Sequence, residues 1–257
     1  MTALRGQHAL VTGANRGIGA EIVRQLAAAG ADVTLLVRKP QGAEALCAEL
    51  SALGVRAGIV TADVTDRAAL VAACGDAAKA RGPVTALVNN AGTVQTIPFL
   101  RSEPALFEQM YAVHVMAPVI ATRAVLPAML ERGAGTIVNV ASIAGLLGAP
   151  YVAAYVAAKH AMVGLTRALA VEYQAKGIRV NAVCPGYTDT DLVSDAVEKI
   201  VKKTGRSAEE AMALILADSG QQRLVSTAEV AAAVVALCDP ASTVNGSAIP
   251  LLGAETA

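Results

Sequence analysis

The sequence predicts an α/β fold: a single-domain, doubly wound parallel sheet with helices on both faces. Short runs of β-branched and aliphatic residues alternate with longer Ala-rich stretches, and strands that alternate with helices form parallel sheets. The chain is 54% hydrophobic, with no Trp and two Phe, so its small aliphatic side chains suit helices packed closely on a sheet. No repeat, low-complexity linker or shift in composition divides residues 1–257, so one domain is expected.

Seven short runs are predicted as strands, because each is rich in β-branched or aliphatic residues and too short for a helix. They are His8–Val11, Asp32–Val37, Ala57–Thr61, Ala86–Asn89, Thr136–Val140, Arg179–Val183 and Ser247–Leu251. The longer Ala-rich stretches between them are predicted as helices. These are Ala20–Ala29, Gly42–Leu53, Ala68–Lys79, Leu106–Leu130, Ala153–Glu172 and Glu229–Leu237. Gly30 and Gly54 follow the first two, where glycine commonly ends a helix.

One segment breaks this alternation. Residues 187–223 are long, charged and partly helical, and they follow the Pro185-Gly186 pair. Such a segment inside an α/β core is typical of a substrate lid, and a surface excursion without a role is the alternative.

A glycine-rich turn connects the first strand to the first helix. It reads Thr12-Gly13-Ala14-Asn15-Arg16-Gly17-Ile18-Gly19, and its GxxxGxG spacing differs from the common GxGxxG. Such a turn exposes backbone N–H groups beside the positive end of a helix dipole, which favours a pyrophosphate. The candidate cofactor-binding residues here are Gly13, Asn15, Arg16, Gly17, Ile18 and Gly19. The alternative is a tight turn without a ligand.

The end of the second strand predicts which dinucleotide is bound. An acidic residue at this point contacts the ribose 2′-hydroxyl of NAD, but here the strand ends in Arg38-Lys39. Guanidinium groups bind phosphate through charge and paired hydrogen bonds, and Arg16 can point at the same corner. NADP(H) is therefore expected over NAD(H). The alternative is that Arg38 and Lys39 are solvated surface charges.

The motifs occur in an order that resembles the short-chain dehydrogenase/reductase (SDR) family over nearly the whole chain. They are Thr12–Gly19, Asp63, Asn89-Asn90-Ala91-Gly92, Ser142, Tyr155 with Lys159, and Pro185-Gly186. The resemblance implies a Rossmann fold and an oxidoreductase that transfers hydride between nicotinamide and a carbonyl or secondary alcohol.

The candidate catalytic residues are Ser142, Tyr155, Lys159 and His114. Tyr155 and Lys159 lie four residues apart on a predicted helix and therefore share one face. The lysine ammonium is expected to lower the pKa of the phenol, which then exchanges a proton with the substrate oxygen that Ser142 also holds. Lys159 can also hold the nicotinamide ribose. The alternative is an ordinary half-buried aromatic beside a surface charge.

The resemblance also implies further cofactor contacts. Asp63 and Val64 are expected at the adenine, and Asn90, Ala91 and Gly92 along the cofactor. Pro185, Gly186, Thr188 and Thr190 are expected at the nicotinamide carboxamide, together with Tyr155 and Lys159 at the ribose.

His114 departs from the family pattern. The family usually has an asparagine here, which holds a water in a proton relay from lysine to solvent. Imidazole can also hold a water, and its titration near neutrality predicts an added pH dependence. The alternative is a packed helix residue with one hydrogen bond.

The substrate is predicted less closely. The expected pocket residues are Ser142, Ile143, Ala149, Tyr151, Tyr187 and the lid from Leu192 onwards, and their mostly apolar character suits an alkyl or aryl ketone. Lys199, Lys202, Lys203 and Arg206 can attract a phosphate-bearing CoA or acyl-carrier thioester, or they are a solvated helix face balanced by neighbouring glutamates.

Three functions stay open. Resemblance favours a 3-oxoacyl thioester reductase or 3-hydroxyacyl-CoA dehydrogenase. A reductase of free alkyl, aryl, steroid or sugar ketones is the second. A catalytically silent dinucleotide-binding scaffold is the third, and the intact Ser142, Tyr155 and Lys159 argue against it.

The remaining composition bounds location and partners. The net charge is zero, so neither a nucleic-acid partner nor a membrane surface is expected. The four cysteines form no CxxC pair, and residues 1–6 contain no apolar signal run, so reduced thiols in the cytoplasm are expected. No metal-ligand spacing is present. A homotetramer or homodimer is expected, with Glu229–Leu237 and Ser247–Leu251 supplying one face.

Overall fold

Seven parallel strands form the centre of the protein, as the sequence predicts. The computed structural model describes residues 3–253. The strands are β1 (His8–Thr12), β2 (Asp32–Val37), β3 (Ala57–Thr61), β4 (Ala86–Asn89), β5 (Gly135–Val140), β6 (Ile178–Pro185) and β7 (Ala248–Leu251). They lie in the order β3-β2-β1-β4-β5-β6-β7. The strand order reverses between β1 and β4, and α/β sheets bind ligands at the carboxyl ends of the strands beside such a switch.

Nine α-helices are found in the described part of the chain. They are α1 (Gly17–Ala28), α2 (Ala43–Ser51), α3 (Arg67–Arg81), α4 (Pro104–Tyr111), α5 (Ala117–Arg132), α6 (Ala153–Tyr173), α7 (Asp191–Thr204), α8 (Ala208–Ser219) and α9 (Thr227–Cys238). The central strand β1 shows how they divide between the two faces. Ala9 and Val11 pack with α1, α2 and α9, whereas Leu10 packs with α3 and α5. Both faces of the sheet are therefore buried, which explains why the strands read as continuous apolar runs.

The prediction of a single long helix over residues 106–130 is wrong in one respect. Helices α4 and α5 are separated by a π-helical turn, Ala112–Met116, which contains His114. Pro118 lies in the first turn of α5, and it has no N–H to donate to the carbonyl of His114, four residues earlier. Proline thus removes one ordinary helical bond at this point, and π turns of this kind are frequent at functional sites.

The stretch Pro104–Arg132 is also the most membrane-like part of the described chain. By length and composition alone it could cross a membrane, but half of its apolar window is buried inside the fold, as in a core helix of a globular protein.

The predicted lid contains a helical hairpin. Val193 and Val197 of α7 pack against Ala211 and Ile215 of α8. The two ends of the lid meet beside the sheet, where Thr188 forms a parallel bridge with Val225. The hairpin is thus attached to the carboxyl end of β6.

Candidate active site

The glycine-rich turn follows β1 at the switch point of the sheet. Gly13 and Gly17 have φ of 67° and 51°, a region that favours glycine. A Cβ at Gly19 would overlap the carbonyl oxygen of Gly13, and a Cβ at Gly13 would lie 2.9 Å from Cα of Ala91. Close approach of backbone to backbone therefore requires glycine at these positions.

The N-terminus of α1 has the donor chemistry that a pyrophosphate needs. The residue before it, Arg16, makes no capping bond through its side chain, and the first turn of this described helix contains no acidic residue. The first N–H groups of a helix have no partner within the helix, and they bear the positive end of its dipole. The residues present thus fit a dinucleotide.

Thr12 and Asn90 hold the turn against the neighbouring strand. The hydroxyl of Thr12 accepts hydrogen bonds from the N–H groups of Asn90 at 2.9 Å and Ala91 at 3.0 Å. In return, the amide of Asn90 donates to the carbonyls of Thr12 at 2.9 Å and Gly13 at 3.1 Å. The Asn90 side chain, expected along the cofactor, thus positions the glycine turn, and Thr12 is a contributor that sequence reasoning missed.

Arg38 and Arg16, both expected to contact the 2′-phosphate of NADP(H), lie in different surroundings in the structure. Hydrogen bonds from the side chain and backbone of Thr65 lower the pKa of Asp63. The charge of Arg38, which is exposed at the end of β2, acts in the same direction. Arg16 does not share these surroundings, because its Nη1 lies 3.6 Å from Oδ2 of Asp191 at the start of the lid. The Arg16 guanidinium thus points toward the lid in this structure, and its contact with the 2′-phosphate stays a prediction, whereas Arg38 and Asp63 are neighbours.

Three of the four expected catalytic residues are brought together by β5 and α6. Ser142 follows β5; its hydroxyl donates to the carbonyl of Pro185 at 3.4 Å and lies close enough to the phenol of Tyr155 to act on that phenol's pKa. Tyr155 lies in the first turn of α6, and one turn later Lys159 is 4% exposed. Its Nζ donates to the carbonyl of Val140 at 2.8 Å and lies 5.5 Å from the centre of the Tyr155 ring. The expected face of α6 therefore meets the end of β5.

Burial shifts the pKa values of Tyr155 and Lys159 in opposite directions. Burial raises the pKa of Tyr155 to about 12, although the hydrogen bond from Ser142 acts in the opposite direction. Burial also lowers the pKa of Lys159 to about 7. Burial is the largest cause of both shifts, and the lowering of the phenol pKa by Lys159 that the sequence predicts stays a prediction. Tyr155 is a protonated phenol at neutral pH, which suits donation of a proton to a carbonyl oxygen.

His114 lies behind Tyr155 and is 1% exposed. Its Nε2 is 2.7 Å from the carbonyl oxygen of Thr93, so Nε2 carries the proton and Nδ1 is an acceptor. Nδ1 is buried and has no hydrogen-bond partner among the described residues. The ring meets that of Tyr155 edge-on, with centroids 5.2 Å apart.

The environment of His114 keeps its imidazole neutral. Burial lowers its pKa to about 3, and the nearby charge of Lys159 acts in the same direction. The titration near neutrality that the sequence predicted is therefore wrong, because an isolated imidazole was assumed.

The residues expected at the nicotinamide follow β6. Pro185 ends the strand, and a Cβ at Gly186 would overlap the side chain of Gln221. Thr188 is 6% exposed, and the methyl of Thr190 lies 3.5 Å from the position of a Cβ at Gly17. This segment therefore closes the site opposite the glycine turn. Val64 and Gly92 also lie just beyond the carboxyl ends of their strands, β3 and β4.

Gln221 is a supporting residue that sequence reasoning missed. It is 6% exposed and accepts a hydrogen bond from Tyr187 N at 2.7 Å. Its amide donates to the carbonyls of Tyr187 and Arg223, both at 3.1 Å. One buried side chain therefore connects the two ends of the lid, and a lone Gln in a charged segment carries no signal of this role.

A buried polar chain between the strands was also missed. Asn89 donates to Asn139 at 2.8 Å, Asn139 donates to Thr166 of α6 at 2.8 Å, and Thr166 donates to the Met162 carbonyl at 2.9 Å. It fixes α6, and with it Tyr155, against β4 and β5. An asparagine within each of these otherwise mostly apolar strands was the signal that could have found them.

Two of the expected substrate residues lie next to the Ser142–Tyr155 pair. Ile143 starts the 3₁₀ turn after Ser142, and the Tyr187 phenol is close enough to Tyr155 to contribute to its raised pKa. Tyr151 and Leu192 are exposed, and Ala149 is half-buried. Within residues 3–253, no group of three or more His, Cys, Asp and Glu residues could hold a metal ion. The cysteines are free, and Cys74, Cys184 and Cys238 are buried.

Comparison with known proteins agrees with this geometry. The family model for short chain dehydrogenases matches residues 7–201. Galactitol 2-dehydrogenase (L-tagatose-forming) of Cereibacter sphaeroides is 39% identical over 98% of this chain and 96% of its own. 2-(S)-hydroxypropyl-CoM dehydrogenase 3 of Xanthobacter autotrophicus is 38% identical over 99% and 98%. The crystal structure of levodione reductase has a TM-score of 0.89 and 32% identity, and covers 97% of each chain.

Nicotinamide supplies or accepts a hydride in such a site, and the residues described above supply the phosphate donors and the proton. The chain therefore belongs to the short-chain dehydrogenase family, as an NAD(P)-dependent oxidoreductase that acts on alcohols or ketones.

Proposed function

We propose that this protein is an NADP(H)-dependent oxidoreductase that interconverts an apolar ketone and its secondary alcohol. The observation that carries the proposal is the Tyr155 phenol, whose pKa burial raises, beside Ser142 and with Nζ of the buried Lys159 5.5 Å from its ring centre. Mostly apolar residues line the approach to it, which favours an alkyl or aryl substituent on the substrate.

Proton transfer in this site is assigned to Tyr155. In the reducing direction its hydroxyl gives a proton to the carbonyl oxygen while the carbonyl carbon receives a hydride, and the product is the neutral alcohol. The Ser142 hydroxyl holds the same oxygen as negative charge develops on it. Nicotinamide, when bound, supplies that hydride from C4. In the oxidising direction the same groups act in reverse.

Lys159 and His114 are assigned to reprotonation of Tyr155. Lys159 uses one donor on Val140, which leaves others for the nicotinamide ribose and a water. The buried Nδ1 acceptor of His114 can hold such a water, because a buried polar atom is normally satisfied by protein or water. His114 thus acts as a positioning residue in the route from Lys159 to solvent, in the place of the family's asparagine.

The preference for NADP(H) is supported by Arg38 and Lys39 at the exposed end of β2. We expect Arg38→Asp to lower the ratio of kcat/KM for NADPH over NADH by about 10- to 100-fold, the value of one or two charge-assisted bonds. Arg123→Asp, at an exposed position on the far side of α5, is the matched charge control. A wild-type enzyme that prefers NADH, or an unchanged ratio in Arg38→Asp, would contradict the proposal.

A 3-oxoacyl or 3-hydroxyacyl thioester is the second candidate. It is favoured by the cationic end of α7, where Lys199, Lys203 and Arg206 are exposed, although Lys202 is paired with Glu198 at 3.2 Å. The test compares kcat/KM for acetoacetyl-CoA with that for 4-phenyl-2-butanone. Preference for the thioester, lost when Lys199 and Lys203 become Glu, would replace the free ketone as the substrate.

A silent scaffold would bind NADPH tightly and turn over neither compound. We also propose a cytoplasmic homotetramer or homodimer that uses α9 and the edge strand β7, and light scattering of the purified protein tests that assembly.

A further inference from the structure

The turn before α6 has an unusual backbone conformation. Tyr151 has φ of 63° and is the one non-glycine residue with positive φ in the described part of the chain. It follows Pro150 in a turn, and a turn with proline first and a positive φ second normally takes glycine or asparagine at the second position. Tyrosine is therefore a strained choice, and such strain clusters at ligand-binding sites.

The fold gains little from the tyrosine side chain. The turn is held by the backbone, because the carbonyl of Tyr151 accepts a hydrogen bond from the N–H of Ile97 at 2.7 Å, and any residue could provide that carbonyl. The side chain is 60% exposed. Neither packing nor backbone hydrogen bonding thus explains an aromatic residue at this position.

The position of Tyr151 is explained by the site beside it. Three loops follow the adjacent strands β4, β5 and β6, and their ends share one edge of the sheet. Large apolar side chains are exposed along these connections: Phe99 and Leu100 after β4, Leu147 and Tyr151 after β5, and Leu192 in the first turn of α7 after β6. Tyr151 lies in the turn four residues before Tyr155, between the end of β5 and the start of α6, so this apolar rim stands at the edge of the sheet that bears Ser142 and Tyr155.

We propose that Tyr151 is a specificity-determining residue, whose ring forms an apolar wall at the mouth of the site and selects substrates with an aryl substituent. This inference rests on the proposed function, since it assumes that the carbonyl is placed at Tyr155. An aromatic ring gives large contact area with few rotatable bonds, and exposed apolar groups of this kind mark binding surfaces.

The test uses two ketones that differ only in a phenyl group, 2-butanone and 4-phenyl-2-butanone. Tyr151→Gly and Tyr151→Asn both tolerate the positive φ and remove the ring. We expect the ratio of kcat/KM for the phenyl ketone over butanone to fall about tenfold in both variants, the value of about 50 to 60 Å² of apolar contact. Leu53→Asn, which changes a residue that is 55% exposed in the turn after α2, is the control.

Stability provides a second readout. A structural aromatic removed in this way would lower the melting temperature by roughly 10 °C. A strained and exposed one leaves it unchanged or raises it by up to about 3 °C. A large fall in melting temperature, or an unchanged ketone ratio, would overturn the proposal, as would a change in oligomeric state with that ratio unchanged.

Binding separates this proposal from the proposed function. Calorimetry with the NADP⁺ complex measures Kd for both ketones without turnover. One outcome supports the apolar wall and refutes the proposed reaction. In it the wild type binds the phenyl ketone more tightly than butanone, both variants lose that difference, and no ketone is reduced by any of the proteins. If the wild type binds both equally, the wall is refuted.

Discussion

The neutral imidazole of His114 predicts a specific dependence of stability on pH. The folded protein holds its pKa at about 3, whereas an unfolded chain has the ordinary value near 6.5. Between these values the unfolded state binds a proton that the folded state does not, so stability is full above pH 6.5 and is lost as the pH falls toward 3. At about 1.4 kcal/mol per pH unit, His114 removes about 2 kcal/mol of wild-type stability between pH 7.5 and pH 5.

The variant His114→Asn removes this titration. At pH 7.5 we expect it to be less stable than the wild type by about 1–2 kcal/mol, because the edge-on contact with Tyr155 and part of the bond to Thr93 are lost. At pH 5 this gap should close. Urea unfolding at both pH values measures it, and His8, whose pKa is also lowered by burial, is present in both proteins and cancels in the difference.

A stability gap that stays constant from pH 7.5 to pH 5 would refute the reasoning about His114. The same variants test its role in proton transfer at pH 7.5. His114→Asn can still hold a water and should keep most of kcat, whereas His114→Ala should lose about tenfold and gain a solvent isotope effect. Equal kcat in the wild type and both variants would leave His114 with packing alone.

Two further predictions concern the cofactor and the proton donor. Gly19→Ala places a Cβ onto the carbonyl oxygen of Gly13, so the glycine turn must shift; Kd for NADPH, measured by fluorescence, should rise at least tenfold, whereas Gly75→Ala, in open space on α3, should leave it unchanged. Tyr155→Phe removes only the hydroxyl, so kcat should fall by about 10²- to 10⁴-fold while NADPH still binds, and retention of more than a tenth of kcat would assign the proton to another group.

The order of strands and helices was predictable from the sequence, because strands that are buried on both faces of a parallel sheet require continuous runs of apolar residues. The glycine turn and the Tyr155–Lys159 pair were also predictable, since they depend on local backbone geometry and on spacing within one helix. Ser142, which follows another element, was found by resemblance, and the cofactor role of Arg38 stays a prediction. The π turn at 112–116 was not predictable, because one missing N–H at Pro118 does not disturb the apolar pattern.

Tertiary structure decided what depends on contacts between distant segments. Gln221 connects the two lid ends, Arg16 meets Asp191, and the Tyr151 turn is bonded to Ile97. None of these pairs has a fixed spacing that a pattern could reveal. The protonation states of Tyr155, Lys159 and His114 were also decided by tertiary structure. A residue type determines the ordinary pKa, but burial by side chains from other elements determines how far that value moves, and only the folded chain has such burial.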